Sequence, residues 1–228
     1  MPREPSSQVP SGRARRRPLA RARKIADRLA VAYPGSATEL CELSHHNPFE
    51  LLVATILSAQ CTDERVNIVM PILLRRYPTP QAMATADREE LESLIRSTGF
   101  FRSKASHILG ASEAIVMRHS GEVPRSMEEL TALPGVGRKT ANVVLSVAFG
   151  LPGLPVDTHV TRLSRRLGLS GSSDPVQIEQ DLCGLFPPQQ WGVISLRFIL
   201  HGRRVCDARR PRCEICEVAD LCPSRGSF

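Results

Sequence analysis

From residue 19 onward, apolar residues recur at the three- and four-residue intervals of helices. Residues 21–32 form a short amphipathic stretch that ends near Pro34 and Gly35. Residues 49–59 (FELLVATILSA) are apolar nearly all round, which marks a helix buried in a core. Residues 64–76 carry Val66, Val69, Met70, Leu73 and Leu74 at helical spacing, and residues 87–97 open with an Asp cap ahead of Leu91, Leu94 and Ile95. Further helices are expected over 103–118, 126–133, 138–149, 157–167, 175–185 and 190–201. Ser126 and Glu129 have the spacing of a capping box. No stretch alternates as a strand would, so the expected fold is all-α. Residues 150–155 (GLPGLP) form a natural seam between two helical lobes. Residues 1–18, rich in Pro, Ser and Arg, read as a disordered basic arm: a solvated tail or a non-specific, salt-sensitive DNA contact.

Charge narrows the partner. The formal net charge of +7 suggests a polyanion. Aromatic residues make up 4% of the chain, too few for a base-stacking sheet platform. No run of eighteen apolar residues exists, so no membrane span is expected, and the basic N-terminus lacks the apolar region of a secretory signal. The seven cysteines are an odd number and four of them cluster, which argues against a secreted disulfide scaffold and for a reducing cytosol.

The clustered four are Cys206, Cys213, Cys216 and Cys222, spaced C-x6-C-x2-C-x5-C. Thiolates this dense suit zinc or an iron–sulfur cluster. Structural zinc sites usually pair two C-x2-C knuckles, and this loop has one, so a 4Fe–4S cluster is favoured. Arg209, Arg210 and Arg212 lie between two of the ligands and could clamp a phosphate backbone, with the cluster as a structural scaffold. Cys41, Cys61 and Cys183 read as core or incidental thiols.

Residues 133–141 (LPGVGRKTA) lie between two expected helices. Gly135 and Gly137 permit positive φ and bring bare backbone to a ligand, while the next helix offers free N–H groups and its positive dipole end. That arrangement binds phosphate without reading sequence, with Arg138 beside it. Lys139 is either one more phosphate contact or a nucleophile that forms a Schiff base with a sugar carbon. Asp157, in VDTHV, is a good N-cap. Facing Lys139 across a cleft, it could also stabilise a developing sugar cation or shuttle protons. His159 is either a proton carrier or a packed polar residue, and packing is the favoured reading.

These motifs, with LSAQCTD at 57–63 and STGFFRSKA at 97–105, strongly resemble endonuclease III over about residues 20–223. That resemblance implies a DNA glycosylase with AP-lyase activity acting on oxidised pyrimidines in duplex DNA. It implies two helical lobes flanking a DNA cleft: a six-helix barrel with the helix–hairpin–helix over 41–151, and a cluster lobe from 19–40 and 152–228. It implies Lys139 as nucleophile, Asp157 as its acidic partner and one structural 4Fe–4S cluster. Gln60 would fill the gap left by the extruded base, and Phe100 would wedge the opposite strand where the family usually has leucine. Asp63 would support the pocket. A monomer in the cytoplasm, at the nucleoid, with no membrane partner, is expected. An adenine-specific mismatch glycosylase would generally lack the hairpin lysine, and an 8-oxoguanine glycosylase would lack the cysteine loop. A non-catalytic DNA-binding module is the rival from another class.

Overall fold

The structure, a computed structural model, describes residues 12–227. Among these, all regular structure is helical and there is no strand. The helices are α1 (Gly12–Ala32), α2 (Ala37–Leu40), α3 (Pro48–Leu57), α4 (Asp63–Arg76), α5 (Pro80–Ala84) and α6 (Arg88–Ile95). They continue with α7 (Phe101–His119), α8 (Met127–Thr131), α9 (Arg138–Val143), α10 (Thr158–Arg166), α11 (Pro175–Leu185) and α12 (Trp191–Arg204). Residues 1–11 of the expected arm lie outside the described residues. Residues 12–18 belong to α1, a correction to the disordered reading. Arg13, Ala14, Arg15, Arg16 and Arg17 favour helix intrinsically there, a preference that periodicity does not register.

Helix starts follow their caps. Asn47, Thr62, Thr79, Asp87, Ser126, Asp157 and Asp174 each accept a backbone N–H from their helix's first turn. Each such cap contributes about 1 kcal/mol. Pro48, Pro80 and Pro175 follow three of these caps, where a missing N–H costs nothing. The short α2 and α5 carry too few apolar residues to show a period and were not expected.

Two buried apolar clusters hold the chain. The first gathers α3, α4, α6, α7 and the α8–α9 hairpin around Leu51, Leu52, Leu57, Met70, Leu73, Ile95, Ile108 and Val144. The second packs Ile25 and Leu29 of α1 against Val160, Leu163, Ile178, Leu182 and Phe198. Helix α12 touches both, with Leu196 in the first and Ile194 and Phe198 in the second.

The seam between them is tightly specified. Past Val143 the α9 helix widens into a π turn over Val144–Ala148. The side chain of Asn142, 2% exposed, accepts Leu154 N–H at 3.1 Å. Ser195 of α12 donates its hydroxyl to the Pro155 carbonyl. Gly153 sits so close that an added Cβ would lie 2.6 Å from the Asn142 carbonyl oxygen. The segment that leads into Asp157 is thereby pressed against the helix that carries Lys139.

Gly153→Ala should therefore force the two apart and cost about 1–3 kcal/mol by the usual measure of overpacking. Chemical denaturation reads the loss; unchanged stability would show that the seam has slack.

Candidate active site

The hairpin is built by close approach to α7. Gly135 has φ +75, and a Cβ there would lie 2.5 Å from His107 of α7. Pro134 packs beside Gly110, whose added Cβ would be 3.1 Å from the proline ring. Gly137 differs from the expectation of positive φ. It is extended, at φ −88 and ψ 173, and a Cβ there would meet nothing within 4 Å. Its smallness leaves open space over the first amides of α9, which suits a close-approaching anion.

Lys139 and Asp157 come together on the wall of one cleft of about 920 Å³, with Thr158, Thr161, Arg165 and Arg203 also lining it. They share a second, smaller cavity with Asp63 and Arg203 beneath. Lys139 is exposed and Asp157 partly buried. Asp157 Oδ1 accepts Val160 N–H at 2.8 Å, so the carboxylate is fixed as the cap of α10. His159 accepts from Arg162 at Nδ1, 3.0 Å away, and burial lowers its pKa against the pull of Asp157. It also lines the cleft that holds Lys139 and Asp157. Asp63 pairs with Arg203 at 2.7 Å, and Arg203 also bonds Glu42, so Asp63 braces α4 against α12. Arg138 donates to both carboxylate oxygens of Glu179, each at 2.7 Å.

Gln60 and Phe100 meet Gly135 around a separate cavity of about 260 Å³. Both residues have left-handed backbones, at φ 53 and φ 48, which cost free energy and persist only where neighbours impose them. The neighbour is Lys104. This lysine, 3% exposed, donates its ammonium to Leu57 O at 2.7 Å and Thr98 O at 2.8 Å. Those carbonyls lie just ahead of Gln60 and Phe100 in the chain. Burial lowers the Lys104 pKa, the strain that accompanies tying two loops with one amine. Sequence reading passed over Lys104, although its spacing to Ile108, Ala111 and Ile115 put it on the apolar face of α7.

At the other end of α10, Arg162 donates to Cys206 O and Gly202 O, at 3.2 and 2.9 Å. Arg166 donates to Asp207 O, Ala208 O and Cys206 Sγ, at 2.7, 2.8 and 3.3 Å. Asp207 accepts the Arg209 and Arg210 amides, turning the loop that exposes Arg209, Arg210 and Arg212. None of these three arginines lines the Lys139 cleft. The four thiols are near enough to feel one another. Burial chiefly, aided by Cys206 and Cys213, pushes Cys216 up to about 11, and the same influences raise Cys222. Four thiols in one short loop are the ligand number and chemistry that a 4Fe–4S cluster takes.

A positive helix end facing an acid, in an all-helical chain, is the arrangement of a helix–hairpin–helix DNA repair protein. Residues 53–188 match the family model described as HhH-GPD superfamily base excision DNA repair protein. Residues 206–222 match the iron–sulfur binding domain of endonuclease III. Endonuclease III of Synechocystis sp. is 57% identical over 205 residues, covering 90% of this chain and 92% of that protein. A solved non-covalent endonuclease III–DNA complex superposes with a TM-score of 0.85 at 43% identity, over 92% of this chain and 97% of the other. A trapped endonuclease III–DNA covalent intermediate gives 0.83 at 42%, over 96% and 99%. The chain belongs to the endonuclease III family. It is accordingly an enzyme of base excision repair, a DNA glycosylase with AP-lyase activity, and it binds a 4Fe–4S cluster. No helix among the described residues is long and apolar enough to cross a membrane.

Lys104→Met should strand two buried carbonyls and cost about 2 kcal/mol or more. It should also weaken binding to a duplex holding an abasic-site analogue, because both loops loosen. Wild-type stability and affinity in this variant would dismiss Lys104 as their organiser.

Proposed function

We propose that this enzyme removes oxidised pyrimidines from duplex DNA through a Lys139 Schiff base, then cuts the strand 3′ to the abasic site by β-elimination. The observation that carries this reading is the pairing of Lys139 with Asp157 in one cleft of a chain that has only three lysines. Lys24 is exposed on α1, outside that cleft, and Lys104 is buried and bonded to two carbonyls. Lys139 is the lysine free to attack.

The bent duplex lays a phosphate against the amides after Gly135 and Gly137. A damaged nucleotide flips into the cleft, and its weak stacking lowers a cost of a few kcal/mol. Gln60 fills the vacated space and Phe100, 66% exposed, wedges the opposite strand. The Lys139 amine forms a bond to C1′ as the bond from C1′ to the base breaks. The base leaves with that electron pair and takes up a proton. The Asp157 carboxylate stabilises the positive charge developing on the sugar and assists the proton transfers. Ring opening yields the Schiff base, which acidifies the C2′ proton. Loss of that proton expels the 3′ phosphate, and water releases Lys139. Cys206, Cys213, Cys216 and Cys222 would hold the 4Fe–4S cluster, which would cross-link the loop and so present Arg209, Arg210 and Arg212 to the backbone. The partner is duplex DNA with damaged pyrimidines or abasic sites, engaged by a monomer in the cytoplasm at the nucleoid.

Borohydride reduction on duplexes carrying a thymine glycol or a plain abasic site tests this. Wild type should give a covalent band on both, and Lys139→Ala on neither while melting as wild type does; full lyase activity in that variant would exclude Lys139. Asp157→Asn keeps a helix cap, so it should leave stability nearly intact and slow base release by roughly 10²-fold. An unchanged rate would reduce Asp157 to a cap. Iron and sulfide should be found in anaerobically purified protein, and Cys216→Ser should lose them. Zinc in their place would overturn the cluster assignment.

A further inference from the structure

We infer that Arg138 and Glu179 form a strut that positions Lys139, and that this strut, rather than a phosphate contact, is the main role of Arg138. This rests on the reading of Lys139 as nucleophile. The guanidinium meets the carboxylate fork to fork, Nε to one oxygen and Nη2 to the other, both at 2.7 Å. Such planar, doubly bonded pairs fix orientation as well as distance.

The pair joins the two apolar clusters. Glu179 is 8% exposed and flanked in α11 by Ile178 and Leu182 of the second cluster. Arg138 leads into Ala141 and Val144 of the first. The hairpin before α9 is seated on α7, but the first turn of α9 itself has no side-chain cap and no acidic residue, and Gly137 before it faces open space. Lys139, the next residue, takes its direction from where Arg138 is fastened. The forked edge of the guanidinium is committed to Glu179, although the side chain is 48% exposed, so a phosphate could take Arg138 by that edge only by drawing it off Glu179. That would leave a largely buried carboxylate unpaired, a heavier cost than one solvent-screened phosphate contact returns. The Glu179 hydrogen bond also raises the Arg138 pKa, in keeping with a committed partner.

The test uses the full-length protein with its cluster and compares wild type, Glu179→Gln, Arg138→Ala and the double variant. The readouts are the single-turnover rate of adduct formation at saturating enzyme, the Kd for an abasic-analogue duplex, its salt dependence, and melting temperature. Each single variant should slow adduct formation by about tenfold, as small misplacements of a reacting group do. Kd and salt slope should stay as in wild type. The double variant should be no slower than the worse single, since one interaction is removed twice. Weaker binding and a salt slope shallower by about one in Arg138→Ala, with Glu179→Gln at the wild-type rate, would make Arg138 a phosphate contact and overturn the strut. Rate losses no larger than the fraction unfolded at the assay temperature would overturn it too. Wild type without an adduct would sink the Schiff base and this inference together. A wild-type adduct with unaltered variant rates would sink this inference alone.

Discussion

The cleft depends on how closely the Lys139 helix meets the segment that delivers Asp157. Gly153 allows backbone to lie where a Cβ would strike the Asn142 carbonyl, and the Asn142 side chain bonds Leu154 N–H across the gap. Both contacts are buried, where an unmade hydrogen bond is costly and a void cannot be filled by water. The last turn of α9 and the segment leading into α10 are thus fixed in register. The groups of the proposed chemistry lie at the starts of these two helices, one offering bare amides and a lysine, the other a capping carboxylate.

Helix α10 carries that rigidity to the cysteine loop. Its N-terminus is Asp157 and its last turns are Arg162 and Arg166, which grip the backbone of Gly202, Cys206, Asp207 and Ala208. A loop placed this way holds its ligand geometry relative to the cleft, which is what a structural cluster requires. On the far side, Lys104 does for Gln60 and Phe100 what Asn142 does for Asp157. It bonds the backbone just ahead of two strained residues and holds them in a conformation they would otherwise leave.

Much of this was legible in the sequence. The capping residues Asp87, Ser126 and Asp157 announced helix starts, and the unbroken apolar run after Asn47 announced a buried helix. LPGVGRKTA and the cysteine spacing carried the chemistry, because hairpin and ligand geometry are set by residues close together in the chain. What failed to show was long-range. Arg138 and Glu179 are 41 residues apart, and Arg203 and Asp63 140 apart, so no local pattern links them. Arg138 reads as a DNA contact from its charge, and the Glu179 carboxylate that engages it lies too far along the chain to be seen. Lys104 was passed over because a lysine on an apolar face looks exposed until the carbonyls it serves are known. The extension of α1 and the short α2 and α5 fell below what apolar periodicity can register.

The most direct measurement is to locate the covalent bond. Wild-type protein reduced with borohydride on an abasic duplex would be digested with protease and nuclease and mapped by mass spectrometry. With three lysines in the chain, the result is unambiguous. A sugar remnant on Lys139 alone is the expected outcome. A remnant on Lys24, on Lys104 or on the N-terminal amine, with Lys139 unmodified, would contradict the Lys139 nucleophile.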